Sequence, residues 1–401
     1  MSNKDPKPTG DVAQSKPHIA AEGRGPAFAK PLHVGRPNIG DRDLFTSLTN
    51  EMFDREWLTN DGPLVKRFEH ALADFLGVKH CVATSNGTLA LELAIRALGL
   101  SGEVIVPSYT FIATAHALQW QGITPVFADI DPHTHNLDPA SVRERITSRT
   151  SGIIGVHLWG RPAPVSELQA IATEHEIALM FDAAHAFGCS LGGRSIGNFG
   201  RAEVLSFHAT KFFNCFEGGA VVTQDDELAE MLRLIRNFGF AGYDKVVTLG
   251  TNAKLTEVCA AMGLANLEDI DKVIAVNLRN YEAYRDIFAA LPGLSMLEYD
   301  MRDACNYQYV VVEVDSDCKI SRDELIAALH AENLLVRRYF WPGCHRMEPY
   351  ARTMPDAGRW LPNTEAVADS VIVFPTGTSV NVKTIKVIGD ILATLTKSEK
   401  P

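Results

Sequence analysis

From Pro31 onward, short apolar runs alternate with stretches of helical period, and this alternation limits the fold more than any other feature of the chain. The runs are Cys81-Val82-Ala83, Glu103-Val104-Ile105-Val106-Pro107, Pro125-Val126-Phe127-Ala128, residues 152–157, Ala178-Leu179-Met180-Phe181-Asp182, Val204-Leu205-Ser206-Phe207 and Ala220-Val221-Val222. Each is largely apolar and too short for a helix, so they read as strands covered on both faces. Strands joined by helices predict an α/β fold, a mostly parallel sheet with helices on both sides. In such a sheet, ligands bind beyond the carboxyl ends of the strands. After Gly250 the pattern becomes helical (residues 255–264, then 267–291), followed by a strand at 309–314, a helix at 321–331 and a strand at 334–338. The expected organisation is a large domain over residues 31–275 and a small C-terminal α+β domain over 276–401. Residues 1–30 are polar, rich in Pro and Gly and without period, the composition of a disordered leader.

A chain of 401 residues that is 46% apolar and 22% charged can bury a large core. Its net charge of −11 argues against nucleic acid and anionic membrane surfaces as partners. The seven cysteines contain no C-x-x-C pair, which fits reduced thiols in the cytoplasm and argues against a disulfide framework or a metal site. No run approaches the ~20 apolar residues of a membrane span, and the N-terminus lacks the apolar core of a signal peptide.

Three pieces of chemistry fall on the predicted rim. The strand 178–182 ends in Asp182, followed by Ala183-Ala184-His185. The run Ser206-Phe207-His208-Ala209-Thr210-Lys211 places a lysine just past another strand, ahead of Glu217-Gly218-Gly219. Thr84-Ser85-Asn86-Gly87-Thr88 follows the first strand and opens a helix, whose unpaired N–H groups and dipole favour a phosphate. Singly, a lysine after a strand is a solvated loop residue and an Asp at a strand end is a helix cap. Together the three match what pyridoxal phosphate requires: an amine to hold its aldehyde as an imine, an acid beside the ring nitrogen and a cradle for the phosphate.

These residues resemble the DegT/DnrJ/EryC1/StrS family of sugar aminotransferases. The likeness runs from about Leu32 to the C-terminus and includes Thr59-Asn60-Asp61-Gly62-Pro63, Pro107-Ser108-Tyr109-Thr110-Phe111, Asp129-Ile130-Asp131, His157-Leu158-Trp159-Gly160-Arg161-Pro162 and Gly250-Thr251-Asn252-Ala253-Lys254. The strings VHLWGRP, SFHATK, GTNAK, PGCH with Glu348-Pro349-Tyr350, and FPTGT are similar to those of members that aminate C4 of TDP-4-keto-6-deoxy-D-glucose. The resemblance implies the fold type I of pyridoxal phosphate enzymes (aspartate aminotransferase-like) and transfer of an amino group from L-glutamate to a nucleotide-linked keto sugar. It implies that Lys211 is both anchor and base, that Asp182 holds the ring-nitrogen proton, that His185 lies near the 3-oxygen and that Phe111 stacks on the ring. Gly87, Thr88 and Ser206 would bind the phosphate, with Asn252 reaching it from a second subunit, which implies a homodimer with shared sites. Candidate substrate contacts are Thr59, Asn60, Arg236, Asn237, Arg337, Arg338, Tyr339 and His345, because a diphosphate needs cations and sugar hydroxyls need polar partners. Two positions depart from many members: Lys254 stands where Arg is common and Tyr307 where His is common, which bears on sugar specificity.

Other readings are a C3-keto sugar or ketocyclitol aminotransferase, a sugar dehydratase of the same fold and a non-catalytic cofactor-binding sensor. Lys211 argues against the dehydratase, which carries histidine there. The leader is too short and polar for the DNA-binding module a sensor needs.

Overall fold

The computed structural model describes residues 25–397. Strand β1 (Leu32–His33) is followed by β2 (His80–Thr84), β3 (Glu103–Pro107), β4 (Thr124–Ala128), β5 (Thr150–Val156) and β6 (Ala178–Asp182). A two-residue hairpin pair, β7 (Ser190–Leu191) and β8 (Arg194–Ser195), leads to β9 (Glu203–Ser206) and β10 (Gly219–Thr223). Seven strands form the main sheet in the order β2-β10-β9-β6-β5-β3-β4. All neighbours are parallel except at β10, which runs antiparallel to both β2 and β9. The expected mostly parallel α/β sheet is therefore present, with β10 as its one reversed strand.

Burial explains why the runs read as they do. Val104, Ile105, Val106, Ile153, Ile154, Met180 and Phe181 are wholly buried, because helices cover both faces. Each such side chain contributes roughly 1.5–3 kcal/mol of burial free energy. Helices Gly87–Ala97 and Ala113–Gln119 pack on one another over one face of the sheet, while Val165–Glu174 lies against β5 and β6. The strand termini fix the functional rim: β6 ends at Asp182, β9 at Ser206, and β2 at Thr84 just before the helix Gly87–Ala97.

The helical stretch after Gly250 resolves into Glu257–Leu267 and Ile270–Phe288, so residues 275 and 276 lie inside one helix. Beyond it, β11 (Leu294–Met296), β12 (Val310–Val314) and, after β13 (Leu334–Leu335), β14 (Val371–Phe374) complete the strands among the described residues. β11, β12 and β14 form an antiparallel sheet, backed by Arg322–Ala331 and the C-terminal helix Val382–Lys397. Ser321 and Glu324 cap the first of these helices reciprocally. The strand expected over 334–338 shrinks to β13, which pairs in parallel with β1. The Val336 N–H turns back to the Leu334 carbonyl instead of extending the ladder.

Of the expected leader, residues 1–24 lie outside the described residues. Residues 25–30 are described, and Ala27 donates its N–H to Glu332 Oε2 at 2.7 Å while Phe28 joins the apolar cluster under β12. Among the described residues, no helix is long and apolar enough to cross a membrane.

Candidate active site

Asp182, at the end of β6, is buried. Its Oδ2 accepts the Thr114 hydroxyl at 2.9 Å and its Oδ1 the Ala184 N–H at 3.1 Å. Burial pushes this carboxyl above its ordinary range, and the two hydrogen bonds and the nearby Lys211 pull it back. Lys211 stands in the turn after β9, its N–H bonded to the His208 carbonyl at 2.8 Å. Burial lowers its ammonium to about 8, against the opposing pull of Asp182. His185 is buried beside them, and burial followed by the Lys211 charge holds its imidazole well below the ordinary range. The Trp159 N–H donates to His185 Nδ1 at 3.3 Å, and the side chains of Asn306 and Gln308 hold the His185 carbonyl at 2.8 and 2.6 Å.

The loop expected to hold a phosphate is shaped by the close approach of three segments. Asn86 caps the helix Gly87–Ala97 by accepting the Leu89 N–H at 2.8 Å. Among the described residues, nothing accepts the N–H groups of Gly87 and Thr88, the donors a helix start leaves open. A Cβ on Gly87 would stand 3.0 Å from Ser206 Cβ, so the helix start and the end of β9 face each other across bare backbone. A Cβ on Gly219 would lie 2.7 Å from the Asn86 carbonyl and the Gly87 nitrogen, so β10 can seat against the loop only as glycine. Asn252 lies alongside, where Ser85 donates its N–H to the Ala253 carbonyl at 2.9 Å. Its Oδ1 accepts Lys254 Nζ at 2.7 Å, and its side chain is exposed. Phe111 is 58% exposed, edge-on to Phe340 at 6.3 Å, an aromatic face open to a ligand.

This donor set fits pyridoxal phosphate: open N–H groups for a dianion, a buried carboxyl for a ring nitrogen and a lysine poised near neutrality. Comparison with known proteins then decides the family. The model of the DegT/DnrJ/EryC1/StrS aminotransferase family matches residues 41–393. The chain belongs to that family. It is thus a pyridoxal phosphate-dependent aminotransferase of fold type I. The dTDP-4-amino-4,6-dideoxy-D-glucose transaminase of Shigella dysenteriae is 35% identical over 346 residues, 86% of this chain and 94% of that one. The GDP-perosamine synthase of Caulobacter vibrioides is 35% identical over 311 residues, 76% of this chain and 84% of that one. The crystal structure of DesI in the presence of its TDP-sugar product superposes with a TM-score of 0.90 at 49% identity, covering 94% of this chain and 96% of that one.

In this aminotransferase, a cleft of about 760 Å³ opens beside Phe111 and is lined by Arg337, Arg338, Tyr339, Trp341 and His330. Phe340, which also lines it, has its ring 5.9 Å from that of His185; Lys211, Asp182 and His185 themselves do not line the cleft. Arg337 and Arg338 are exposed, lying over the rings of Tyr339 and Trp341 at 5.2 and 4.2 Å. Arg338 also pairs with Asp323 at 3.2 Å. Two expected substrate contacts are committed elsewhere. Arg236 is buried, bound to Glu69 at 2.5 Å, Asp61 at 3.2 Å and the Ala83 carbonyl at 2.8 Å, so two carboxylates already neutralise it. His345 is buried between the Ser108 hydroxyl at 2.8 Å and Glu365 at 3.3 Å, a strut rather than a surface group. Asn237 accepts Lys254 Nζ at 3.0 Å, and Thr59 and Asn60 sit in a turn where Asn60 has φ +63°. Thr114, inside the helix Ala113–Gln119, and Gln308, just before β12, escaped the sequence reading, since a lone Thr or Gln carries no spacing signal.

Proposed function

We propose that this aminotransferase moves the amino group of L-glutamate to C4 of dTDP-4-keto-6-deoxy-D-glucose, giving dTDP-4-amino-4,6-dideoxy-D-glucose, as a cytoplasmic homodimer with shared sites. The observation that carries the chemistry is the meeting of Lys211, Asp182 and the open helix start at Gly87 on one rim. The regiochemistry is supported by the Shigella dysenteriae relative, whose name states that amine at C4, and by the likeness to a protein crystallised with a TDP-sugar product. In this reading the cofactor-binding part spans residues 31–275 and the smaller part 276–401.

Pyridoxal phosphate, when bound, supplies an electrophilic carbon and an electron-accepting ring, so that an amino group can be taken from one substrate and given to another. Lys211, lowered to about 8, is partly neutral near pH 7 and can take or return a proton at a substrate carbon from its own side only. Asp182 would hold the ring-nitrogen proton. The Gly87 and Thr88 N–H groups and the Ser206 hydroxyl would bind the phosphate, joined by Asn252 of a second subunit. Phe111 would cover one ring face, and His185 would hold the 3-oxygen. Arg337, Arg338 and Tyr339 offer the diphosphate and sugar a cationic, aromatic wall, with Thr59, Asn60 and Asn237 as further polar contacts. Sharing of sites is supported by the loop 238–249, which carries Phe238, Phe240, Tyr243, Val246, Val247 and Leu249 exposed next to Asn252.

Proton NMR of the product formed from the 4-keto sugar and glutamate tests the proposal. Large H3–H4 and H4–H5 couplings are expected for the equatorial amine. A small H3–H4 coupling would mean the axial product, and turnover of the 3-keto isomer alone would overturn the regiochemistry. A dTDP-induced rise in melting temperature is also expected; its absence would point to a cyclitol, which carries no diphosphate.

A further inference from the structure

Trp159 of the segment HLWGRP takes no part in the chemistry just described, yet it is buried with φ +62°, ψ 5°, a left-handed conformation that L-residues rarely adopt. That conformation turns its backbone N–H onto His185 Nδ1 at 3.3 Å. The residue is clamped: its indole stacks on Phe340 at 5.4 Å and 13° and meets Tyr309 edge-on at 5.3 Å, and its backbone carbonyl accepts the Tyr299 hydroxyl at 3.0 Å. Its Nε1–H donates to His135 Nδ1 at 3.1 Å, and His135 Nε2 meets Glu313 Oε1 at 2.7 Å. Glu313 lies on β12, so this chain of contacts runs from the second sheet into the active site.

Donor and acceptor roles along it follow from the groups alone. An indole N–H and a backbone N–H only donate. His135 Nδ1 must therefore accept, which puts its proton on Nε2, facing the Glu313 carboxylate. His185 Nδ1 must accept as well, and its proton sits on Nε2, for which no partner exists among the described residues. We propose that Trp159, pinned by His135 and Glu313, is a positioning residue that fixes His185 as the Nε2–H tautomer and so presents one hydrogen-bond donor to the ligand above Lys211. The ligand's identity rests on the function proposed above, whereas the tautomer is a property of the protein alone.

The test begins with cofactor-free protein carrying ¹⁵N-histidine, in which long-range proton–nitrogen correlation should show His185 protonated on Nε2 and bare on Nδ1. In His135→Phe, which leaves the indole N–H without an acceptor, His185 should become a mixture of tautomers. The loaded variant should lose kcat by roughly tenfold with KM within about twofold, as a misaligned group rather than a lost binding contact would cause. His135→Gln, whose amide can accept from the indole and donate to Glu313, should restore both. If His135→Phe does not fold, Glu313→Ala breaks the same chain at its partly exposed end and should show the same two effects, weaker. Finding His185 protonated on Nδ1 in the unaltered protein, or an unchanged tautomer and kcat in the folded variants, would overturn the proposal. An Nε2–H His185 in a protein that fails to aminate sugars would leave it standing and remove only the function.

Discussion

Lys211 and Asp182 are held where burial disfavours their charged forms, and this strains the cofactor-free protein. With a folded value of about 8 against an ordinary 10.5, Lys211 binds its proton less tightly folded than unfolded. The cost is fully present below pH 8 and fades as pH rises from about 8 towards 10.5, where the unfolded chain also loses the proton. Cofactor-free Lys211→Met should therefore be more stable than the unaltered protein at pH 7, by up to roughly 3 kcal/mol, with the gap closing by pH 10 in urea titrations. An unchanged gap across that range would refute the assignment of the shift to Lys211. In the loaded enzyme, borohydride should attach the cofactor to the Lys211 peptide alone, and Lys211→Ala should bind the cofactor without turnover. Asp182→Asn can keep its oxygen on the Ala184 N–H and donate its amide to the Thr114 hydroxyl, but it cannot hold a ring proton, and should lose most activity while folding normally. Turnover near that of the unaltered enzyme would exclude its role.

Among the elements, β10 bears most on the candidate site because, through Gly219, it packs directly against the Asn86–Gly87 turn that is proposed to hold the phosphate. Gly219→Ala should push against the Asn86–Gly87 backbone, lowering stability by about 1–3 kcal/mol and weakening cofactor retention on dialysis. Retention equal to the unaltered protein would show that the loop can shift. The strands of the main sheet, the helix start at Asn86 and the lysine turn were legible because each depends on short-range pattern. Arg236 and His345 were not: the sequence shows two polar residues after apolar runs, and only the fold brings Glu69 and Asp61 to the one and Ser108 and Glu365 to the other. The strand expected at 334–338 failed for a similar reason, since β1 offers it only two residues and, at Arg337, the chain instead bridges Val373 of β14. The left-handed backbone of Trp159 has no sequence signature, because tertiary packing rather than residue preference imposes it.

For the whole molecule, the proposal that two chains share each site rests on the exposed apolar loop 238–249 and the exposed Asn252 beside Lys254. Mixing inactive Lys211→Ala with inactive Asn252→Ala should restore part of the activity, as one composite site of the mixed dimer then holds both residues intact. No rescue, with mixed dimers shown to form, would mean that each site is built within a single chain. The reversed strand β10 also has a temporal meaning. Its register pairs Gly219 with Thr84 on one side and Ser206 on the other, so the loop made first waits for a strand made much later. Closing that distance is slow, and loop-closure entropy opposes it until the intervening sheet has assembled. A nascent chain ending before Gly219 thus has the lysine, the carboxylate and the helix start but lacks the strand that holds the Asn86–Gly87 turn in register with them, so the three reach their folded spacing only once synthesis has passed the middle of the chain.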